Sequence, residues 1–279
     1  MKIGIVGLGL IGSCLGLDLR QAGHQVYGVG RRQANCEAAI AAGIADTASD
    51  DLTSLAVTEL IFVCTPIAAI LPTVEQLAAV LPAAVVVTDV GSVKGPIAAA
   101  ATRIWPNFVG GHPMSGKAAA GIAAAQPHLF RGNPYILTPV DSTGEPALAQ
   151  VKALAEQLGA VLSISTPEAH DRAVAWISHL PVMVSAGLIQ ACLSEPEAAI
   201  QHLAQQVASS GFRDTSRVGG GNPELGLMMA QYNRAALLDT LQAYQQVLKQ
   251  LEAAIAAEDW AQLNQLLRQT QQARPQYVS

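Results

Sequence analysis

The feature that most constrains this chain of 279 residues is a glycine pattern near its N-terminus. Gly7, Gly9 and Gly12 follow an apolar run at residues 3–6, and a helical stretch and a second apolar run, residues 25–29, come after them. In a β-α-β unit the first such glycine makes the tight turn, the second lets the backbone approach a pyrophosphate, and the third lets helix and strand pack closely. The pattern therefore predicts a dinucleotide-binding unit. Its predicted pyrophosphate-binding residues are Gly7, Leu8, Gly9, Leu10, Ile11 and Gly12.

The end of the second apolar run indicates which dinucleotide binds. Units that prefer NAD usually carry an acid about 20 residues after the glycines, where it binds the ribose 2′-hydroxyl. This chain has Gly30 there, followed by Arg31 and Arg32. Two guanidinium groups can bind a 2′-phosphate through charge-assisted hydrogen bonds, whereas a carboxylate would repel it. We therefore expect NADP as the cofactor; the alternative is that the two arginines are ordinary solvated loop charges.

Apolar runs and helical stretches alternate as far as residue 165, which is typical of a doubly wound, mostly parallel sheet. The further predicted strands are residues 60–64, 84–88, 108–110, 135–138 and 161–163. Thr166, Pro167 and Glu168 then form a strong helix start, and helical periodicity continues to residue 193. The rest is also predicted to be helical, including a Gln-rich helix pair at 242–272, except for a loop at 209–222. We expect an α/β protein with an N-terminal Rossmann-type domain at 1–165 and an all-α C-terminal domain at 166–279.

Composition excludes several classes of function. Half of the residues, 51%, are apolar, the net charge is −5, and no basic run exceeds two residues, so nucleic-acid binding is not expected. No apolar segment reaches membrane-spanning length without a proline or a charge, and we expect no membrane span. The four cysteines form no CxxC pair, which fits buried thiols in the cytoplasm. The six histidines lack the spacing of metal ligands, so we expect no metal site. The apolar helical domain predicts a homodimer.

Ligands of an open α/β sheet bind outside the carboxyl ends of its strands, where polar segments of this chain are expected to lie. They include Thr65 and Pro66, Ser92, and the stretch 110–116. His112 lies in that last stretch, between two glycines and a proline, in a predicted loop whose glycines let the backbone approach a ligand. A histidine there suits general-base work, because its ordinary pKa is near 6.5. A structural hydrogen bond to the backbone is the alternative.

Four motifs resemble the prephenate/arogenate dehydrogenases of tyrosine biosynthesis, and they occur in the same order over essentially the whole chain. They are Gly-Gly-His-Pro-Met-Ser-Gly at 110–116, Thr-Asp-Val-Gly-Ser-Val-Lys at 88–94, Ser-His-Leu-Pro at 178–181 and Gly-Phe-Arg-Asp-Thr-Ser-Arg at 211–217. The resemblance implies oxidative decarboxylation of a cyclohexadienol. A hydride leaves C4 for the nicotinamide, the ring carboxylate departs as CO2, and the ring becomes aromatic.

The resemblance also implies roles for individual residues. His112 would accept the proton of the 4-hydroxyl, and Ser92 would hydrogen-bond that hydroxyl or His112. Arg217 matches the carboxylate-binding arginine of the family, and Arg213, four residues earlier, is a weaker candidate for the same dianionic substrate. His179, directly before Leu-Pro in the long helix, is a further predicted substrate contact.

One departure from the family pattern concerns the substrate. Family members commonly have His-Leu-Pro-His, whereas this chain has Val182 at the last position. The loss of that polar side chain, together with the arginine pair, favours NADP-dependent arogenate dehydrogenase, with prephenate as the alternative substrate. Two other functions remain open from sequence: an NADP-dependent hydroxyacid or imino-acid reductase, and a non-catalytic NADP-binding sensor.

Overall fold

The structure of this chain is a computed structural model that describes residues 1–117, 119 and 121–277. These residues form two compact units, Met1–Arg234 and Ala235–Ser279. The strands are β1 (Lys2–Val6), β2 (Gln25–Val29), β3 (Thr47–Ser49), β4 (Leu60–Val63), β5 (Val86–Asp89), β6 (Phe108–Pro113), β7 (Pro134–Thr138) and β8 (Val161–Ile164). The helices are α1 (Leu10–Gln21), α2 (Gln33–Ala41), α3 (Ile67–Val80), α4 (Gly95–Ile104), α5 (Glu145–Gln157), α6 (Pro167–Val174), α7 (Leu180–Leu193), α8 (Ala198–Val207), α9 (Ser210–Ser216), α10 (Pro223–Tyr232), α11 (Arg234–Ala256) and α12 (Trp260–Ala273).

All eight strands form one sheet in the order β3-β2-β1-β4-β5-β6-β7-β8. Strands β1 to β6 are parallel, β7 runs antiparallel to β6, and β8 is parallel to β7. The chain builds the sheet outward from β1 in one direction and from β4 in the other. The loops after β1 and β4 therefore flank a topological switch point, which is where ligands of such sheets bind. The prediction of a mostly parallel sheet is confirmed.

The central strands are apolar along their whole length because both faces of the sheet are covered. In β4, Leu60 and Phe62 belong to one buried cluster, while Ile61 and Val63 belong to another. This split follows the two-residue period of a strand, which sends alternate side chains to opposite faces. The continuous apolar runs in the sequence are therefore the signature of a sheet between two helical layers.

The structure differs from the sequence predictions at four places. Strand β6 continues through Pro113, because β7 pairs with its second half. The segment predicted as a loop at 209–222 contains α9 and a 3-10 turn, Arg217–Gly220. Strand β3 was not predicted, since three residues carry too little periodicity. Cys192 is exposed, unlike Cys14 and Cys36, which are buried as expected.

The long helical run predicted after Thr166 is present but not uniform. Thr166 accepts a hydrogen bond from the amide of Ala169, as an N-cap residue should. Between α6 and α7 lies a π-helical turn, Ala175–His179. Because Pro181 has no N–H to donate four residues back, the helix widens there and continues as α7. Pro181 therefore disturbs the helical run without ending it.

Because Pro181 does not end this run, Pro167–Leu193 has the length and composition of a membrane-crossing helix, with a mean hydropathy of 1.4 in its most apolar window. The run contains Pro181 and charged residues such as Asp171 and Arg172, so it does not contradict the expectation, which concerned segments without a proline or a charge. Only 17% of that window is buried. The same properties are typical of a helix that packs against another protein surface. In the other unit, α11 and α12 confirm the predicted Gln-rich helix pair, and Asp259 caps α12.

Candidate active site

The glycine loop after β1 has the geometry that its spacing predicts. Gly7 has φ +102°, and its N–H donates to the carbonyl of Val29 at 2.8 Å. A Cβ at Gly12 would lie 2.1 Å from the carbonyl oxygen of Gly7, so only glycine fits between the turn and helix α1. A Cβ at Gly9 would meet no atom within 4 Å. The backbone at Gly9 is therefore open, as a pyrophosphate would require.

Helix α1 begins directly behind this loop and presents an uncapped N-terminus. Among the described residues, no side chain caps it, and its first turn contains no acid. Free N–H groups and the positive end of the helix dipole favour an anion at this position. Thr65, after β4, has a buried hydroxyl without a hydrogen-bond partner in the described part of the chain, and Pro66 precedes helix α3. These residues fit the phosphates of a dinucleotide.

At the end of β2, Gly30 packs closely against two neighbouring side chains. The side chain of Leu8 folds over Gly30: a Cβ there would lie 3.3 Å from the Leu8 Cδ1 and 3.2 Å from the Cys36 Sγ. Arg31 and Arg32 follow in an exposed turn before α2. Neither arginine forms an ion pair within residues 1–117, 119 and 121–277. Both guanidinium groups are free to bind an anion.

A buried ion pair lies at the carboxyl end of β5, beside the switch point. Asp89, at the end of β5, pairs with the ammonium group of Lys94, and both side chains are fully buried. Lys94 also donates to the carbonyl of Gly111 at 2.8 Å, and Asp89 accepts from the amides of Gly91 and Gly111. Burial lowers the pKa of Lys94, and the Asp89 charge opposes that shift. The pair ties β5 to β6 one residue before His112.

His112 lies within β6, opposite Ile136 of β7, and not in the loop that the sequence predicted. The two glycines before it do not open the backbone to a ligand, because neighbouring strands already fill the space beside them. A Cβ at Gly110 would lie 2.4 Å from the Thr138 Oγ1, and a Cβ at Gly111 would lie 2.8 Å from the Asp89 carbonyl oxygen. They allow close packing of β5, β6 and β7 instead, which is a correction of that prediction.

The electrostatic surroundings keep His112 neutral. His112 is only 7% exposed. Burial, and then the nearby charges of His170 and Lys94, hold its pKa well below the ordinary value. Its Nδ1 lies 2.8 Å from the Nε2 of His170. A neutral imidazole that donates a hydrogen bond from one nitrogen has the other nitrogen available to accept a proton.

His170 and Asp171 belong to the site, although the sequence analysis did not select them. The His170 Nδ1 lies 2.8 Å from the Asp171 Oδ1. The Asp171 carboxylate also accepts from the amides of Lys94 and Gly95, both at 2.7 Å, and so caps helix α4. Both residues follow the predicted helix start at Thr166. An adjacent His-Asp pair early in a helix is the sequence signal that could have identified them as site residues.

His179 is fully buried at the end of the π-helical turn. Its Nδ1 lies 3.1 Å from the Asn233 Nδ2, and Asn233 also donates to the carbonyl of Asp171 at 2.7 Å. The His179 Nε2 has no partner among the described residues. Burial lowers the pKa of His179 to about 4, with the Asp171 charge acting in the opposite direction. The structure thus joins His112, His170, Asp171, Asn233 and His179 in one network.

The other predicted site residues lie outside this network. Ser92, in the loop between β5 and α4, has a buried hydroxyl that bonds to no described residue, including His112. Arg217 is exposed at the start of a 3-10 turn packed on α7, where a Cβ at Gly219 would lie 2.4 Å from the Ala186 nitrogen. Arg213 is exposed and reaches Asp214 only at 3.4 Å. No group of three or more His, Cys, Asp or Glu in the described residues could hold a metal ion.

Comparisons with known proteins place this geometry in a family. The family model described as "Prephenate dehydrogenase, nucleotide-binding domain" matches residues 15–164, and "Prephenate dehydrogenase, dimerization domain" matches residues 166–269. The chain is 30% identical to the cyclohexadienyl dehydrogenase of Zymomonas mobilis, with 98% of this chain and 94% of that protein aligned.

Two solved structures resemble the whole chain. Synechocystis arogenate dehydrogenase is 54% identical, with a TM-score of 0.89 and full coverage of both chains. The prephenate dehydrogenase of A. aeolicus, in complex with hydroxyphenyl propionate and NAD+, is 25% identical with a TM-score of 0.93, and 99% of this chain and 98% of that chain are covered. The chain therefore belongs to the prephenate dehydrogenase family, and it is an oxidoreductase of aromatic amino acid biosynthesis that uses a nicotinamide cofactor.

Proposed function

We propose that this enzyme catalyses the NADP-dependent oxidative decarboxylation of arogenate to tyrosine, with prephenate as the second candidate substrate. The observation that carries the reaction is His112, a buried, neutral imidazole with one engaged nitrogen at the carboxyl end of β6. The choice of arogenate is supported by the 54% identity to a protein described as an arogenate dehydrogenase and by Val182 in place of a polar side chain.

The proposed cofactor site consists of the residues around the switch point. The N-terminus of α1 and the open backbone of Gly9 would hold the pyrophosphate, with Thr65 nearby. Arg31 and Arg32, which form no ion pair among the described residues, would bind the 2′-phosphate that distinguishes NADP from NAD. When bound, the nicotinamide ring would supply the acceptor for the hydride from C4 of the substrate.

The protein's own part in the reaction is proton handling and positioning. As the C4–H pair leaves as hydride, the 4-hydroxyl loses its proton to the bare nitrogen of His112 and becomes a ring ketone. The bond to the ring carboxylate then breaks, CO2 departs, and its electron pair makes the ring aromatic and the oxygen a phenolate. His112 returns the proton to that oxygen, so the protein neither gains nor loses a proton over the cycle.

The remaining residues would orient the substrate. The buried Ser92 hydroxyl lacks a partner in the described part of the chain and suits a hydrogen bond to the 4-hydroxyl. The His179 Nε2, which has no partner among the described residues, would contact the substrate. Arg217, which forms no ion pair among the described residues, would bind a substrate carboxylate, with Arg213 as the weaker candidate. Holding the ring in place is the main requirement, because aromatisation itself drives the reaction.

We also propose the domain boundary at residues 165 and 166 and a homodimeric, cytoplasmic enzyme. The boundary is supported by the two family models, which meet between residues 164 and 166, whereas the two compact units of the structure divide after Arg234. The dimer is supported by the description of the second model as a dimerization domain and by the exposed apolar surface of Pro167–Leu193.

The test is a matrix of NADP or NAD with arogenate or prephenate, followed by the formation of reduced cofactor. We expect the highest kcat/KM for NADP with arogenate. A preference for prephenate would refute the substrate assignment, and a preference for NAD would refute the cofactor assignment. Absence of turnover with all four pairs would refute the proposed reaction.

A further inference from the structure

We propose that His170 is a positioning residue of this reaction: together with Asp171 it fixes the proton of His112 on Nδ1, leaves Nε2 bare, and takes up the proton charge while the substrate is oxidised. The inference rests on the proposed function for its catalytic consequence, but the proton arrangement itself follows from the geometry of the network. His170 is 2% exposed and Asp171 7% exposed, so water does not compete for these bonds.

The first step is the proton on His170. A carboxylate only accepts hydrogen bonds. The Asp171 carboxylate receives the amides of Lys94 and Gly95 and, on Oδ1, the His170 Nδ1 at 2.8 Å. The His170 Nδ1 must therefore carry a hydrogen. The N-terminus of α4, which Asp171 caps, stabilises the negative charge of this carboxylate in the resting state.

The second step is the proton on His112. In neutral His170 the Nε2 is a lone pair, and it faces the His112 Nδ1 at 2.8 Å. The two rings meet edge to face, with centroids 5.0 Å apart and an interplanar angle of 71°, so this contact is a hydrogen bond and not a stack. His112 must supply the hydrogen from Nδ1. Its Nε2 is then the bare nitrogen that can accept a proton from the substrate.

Asn233 gives His179 the opposite arrangement. The carbonyl of Asp171 accepts only, so the amide nitrogen of Asn233, and not its oxygen, must face it at 2.7 Å. The same nitrogen donates its second hydrogen to the His179 Nδ1 at 3.1 Å. Neutral His179 therefore carries its hydrogen on Nε2 and acts there as a donor. The network thus makes His112, and not His179, the base.

The third step is the location of the charge during the reaction. When the His112 Nε2 accepts the hydroxyl proton, the hydrogen on Nδ1 can pass 2.8 Å to the His170 Nε2. His170 then becomes an imidazolium beside the Asp171 carboxylate, while His112 is neutral again. Both hydrogens return when the phenolate oxygen takes its proton back. This arrangement lets a histidine whose burial disfavours a charge still serve as a base.

The experiment combines two substitutions of His170 with NMR of the histidine nitrogens. His170→Gln keeps a side-chain acceptor near the position of Nε2 but cannot take up a proton, and His170→Leu removes both properties. His202→Gln is the matched control, because His202 is exposed on α8 and its side chain hydrogen-bonds only Gln206 among the described residues. In ¹⁵N-histidine-labelled enzyme without ligands, the signals of His112 are assigned by their loss in His112→Asn.

In the wild type, His112 should show a hydrogen on Nδ1 and none on Nε2. In His170→Gln this pattern should persist, while kcat falls by roughly 10- to 100-fold with little change in KM. His170→Leu should lose the fixed pattern and fall further in kcat, and His202→Gln should match the wild type. A hydrogen on the His112 Nε2 of the wild type, or wild-type kcat in His170→Gln, would overturn the inference. A wild type that turns over neither arogenate nor prephenate would instead refute the proposed function. The NMR pattern of the ligand-free enzyme would still test the proton arrangement, because it does not depend on turnover.

Discussion

The proposed binding of the 2′-phosphate by Arg31 and Arg32 leads to a quantitative prediction for Arg31→Ala/Arg32→Ala. Both arginines are exposed, and neither is paired within the described part of the chain, so their removal breaks no ion pair of the protein. A hydrogen bond to a charged group contributes about 1.5–3 kcal/mol, and solvent exposure favours the low end of that range. Two such bonds together give about 3 kcal/mol, which corresponds to a loss of about 100-fold in affinity for NADP.

The assay measures KM for NADP and for NAD at low and high salt, and the matched control is Arg103→Ala on α4, an exposed arginine that forms no ion pair among the described residues. The double variant should raise KM for NADP by about 100-fold and leave KM for NAD within a few-fold of the wild type. Its melting temperature should not change, because surface substitutions of this kind alter stability by about 0.5 kcal/mol or less. An equal rise of KM for both cofactors would mean that the two arginines do not touch the 2′-phosphate.

Two further predictions concern the buried groups of the site. Lys94→Met leaves the Asp89 carboxylate buried without its cation, so the free energy of unfolding should fall by about 3–5 kcal/mol in a denaturant titration. The double variant Asp89→Leu/Lys94→Met should regain most of that loss, because it removes both buried charges. An unchanged unfolding midpoint for Lys94→Met would refute the buried pair. Buried His179 has a pKa of about 4, below its ordinary value because of burial, so the unfolded chain binds its proton first as pH falls. The contribution of neutral His179 to the free energy of unfolding should therefore be complete above about pH 6.5. It should decrease as the pH falls from about 6.5 to about 4, by about 3 kcal/mol in total. His179→Gln should flatten that part of the stability curve, and an identical curve for the variant would contradict the assignment.

Much of the fold could be predicted from the sequence because its signals are local. The apolar runs at β1, β4 and β5 and the helix start at Thr166 depend on periodicity and capping, and all of them are present. The extension of β6 could not be predicted in this way, because it depends on pairing with β7, more than 20 residues away. The helices of 209–222 were missed for a similar reason: their glycines and serines favour a loop, and packing on α7 overrides that preference.

The candidate site shows the same division. The glycine loop and His112 were recognisable from spacing and motif. His170 and Asn233 were not, since the contact of His170 with His112 joins residues 58 apart and that of Asn233 with His179 joins residues 54 apart. The function of Gly110 and Gly111 was misread because sequence alone does not distinguish a glycine that admits a ligand from one that admits a neighbouring strand.

The most direct test of the account is turnover of arogenate with NADP by the wild type and by His112→Asn. Binding of cofactor and substrate to each protein is measured separately, by calorimetry, so that a lost catalytic step is not confused with lost binding. The wild type should reduce NADP, and the variant should bind both ligands with similar affinity while its kcat falls by about 10²- to 10⁴-fold. A variant with wild-type kcat, or a wild type without turnover, would contradict the assignment of His112 as the base of an arogenate-oxidising enzyme.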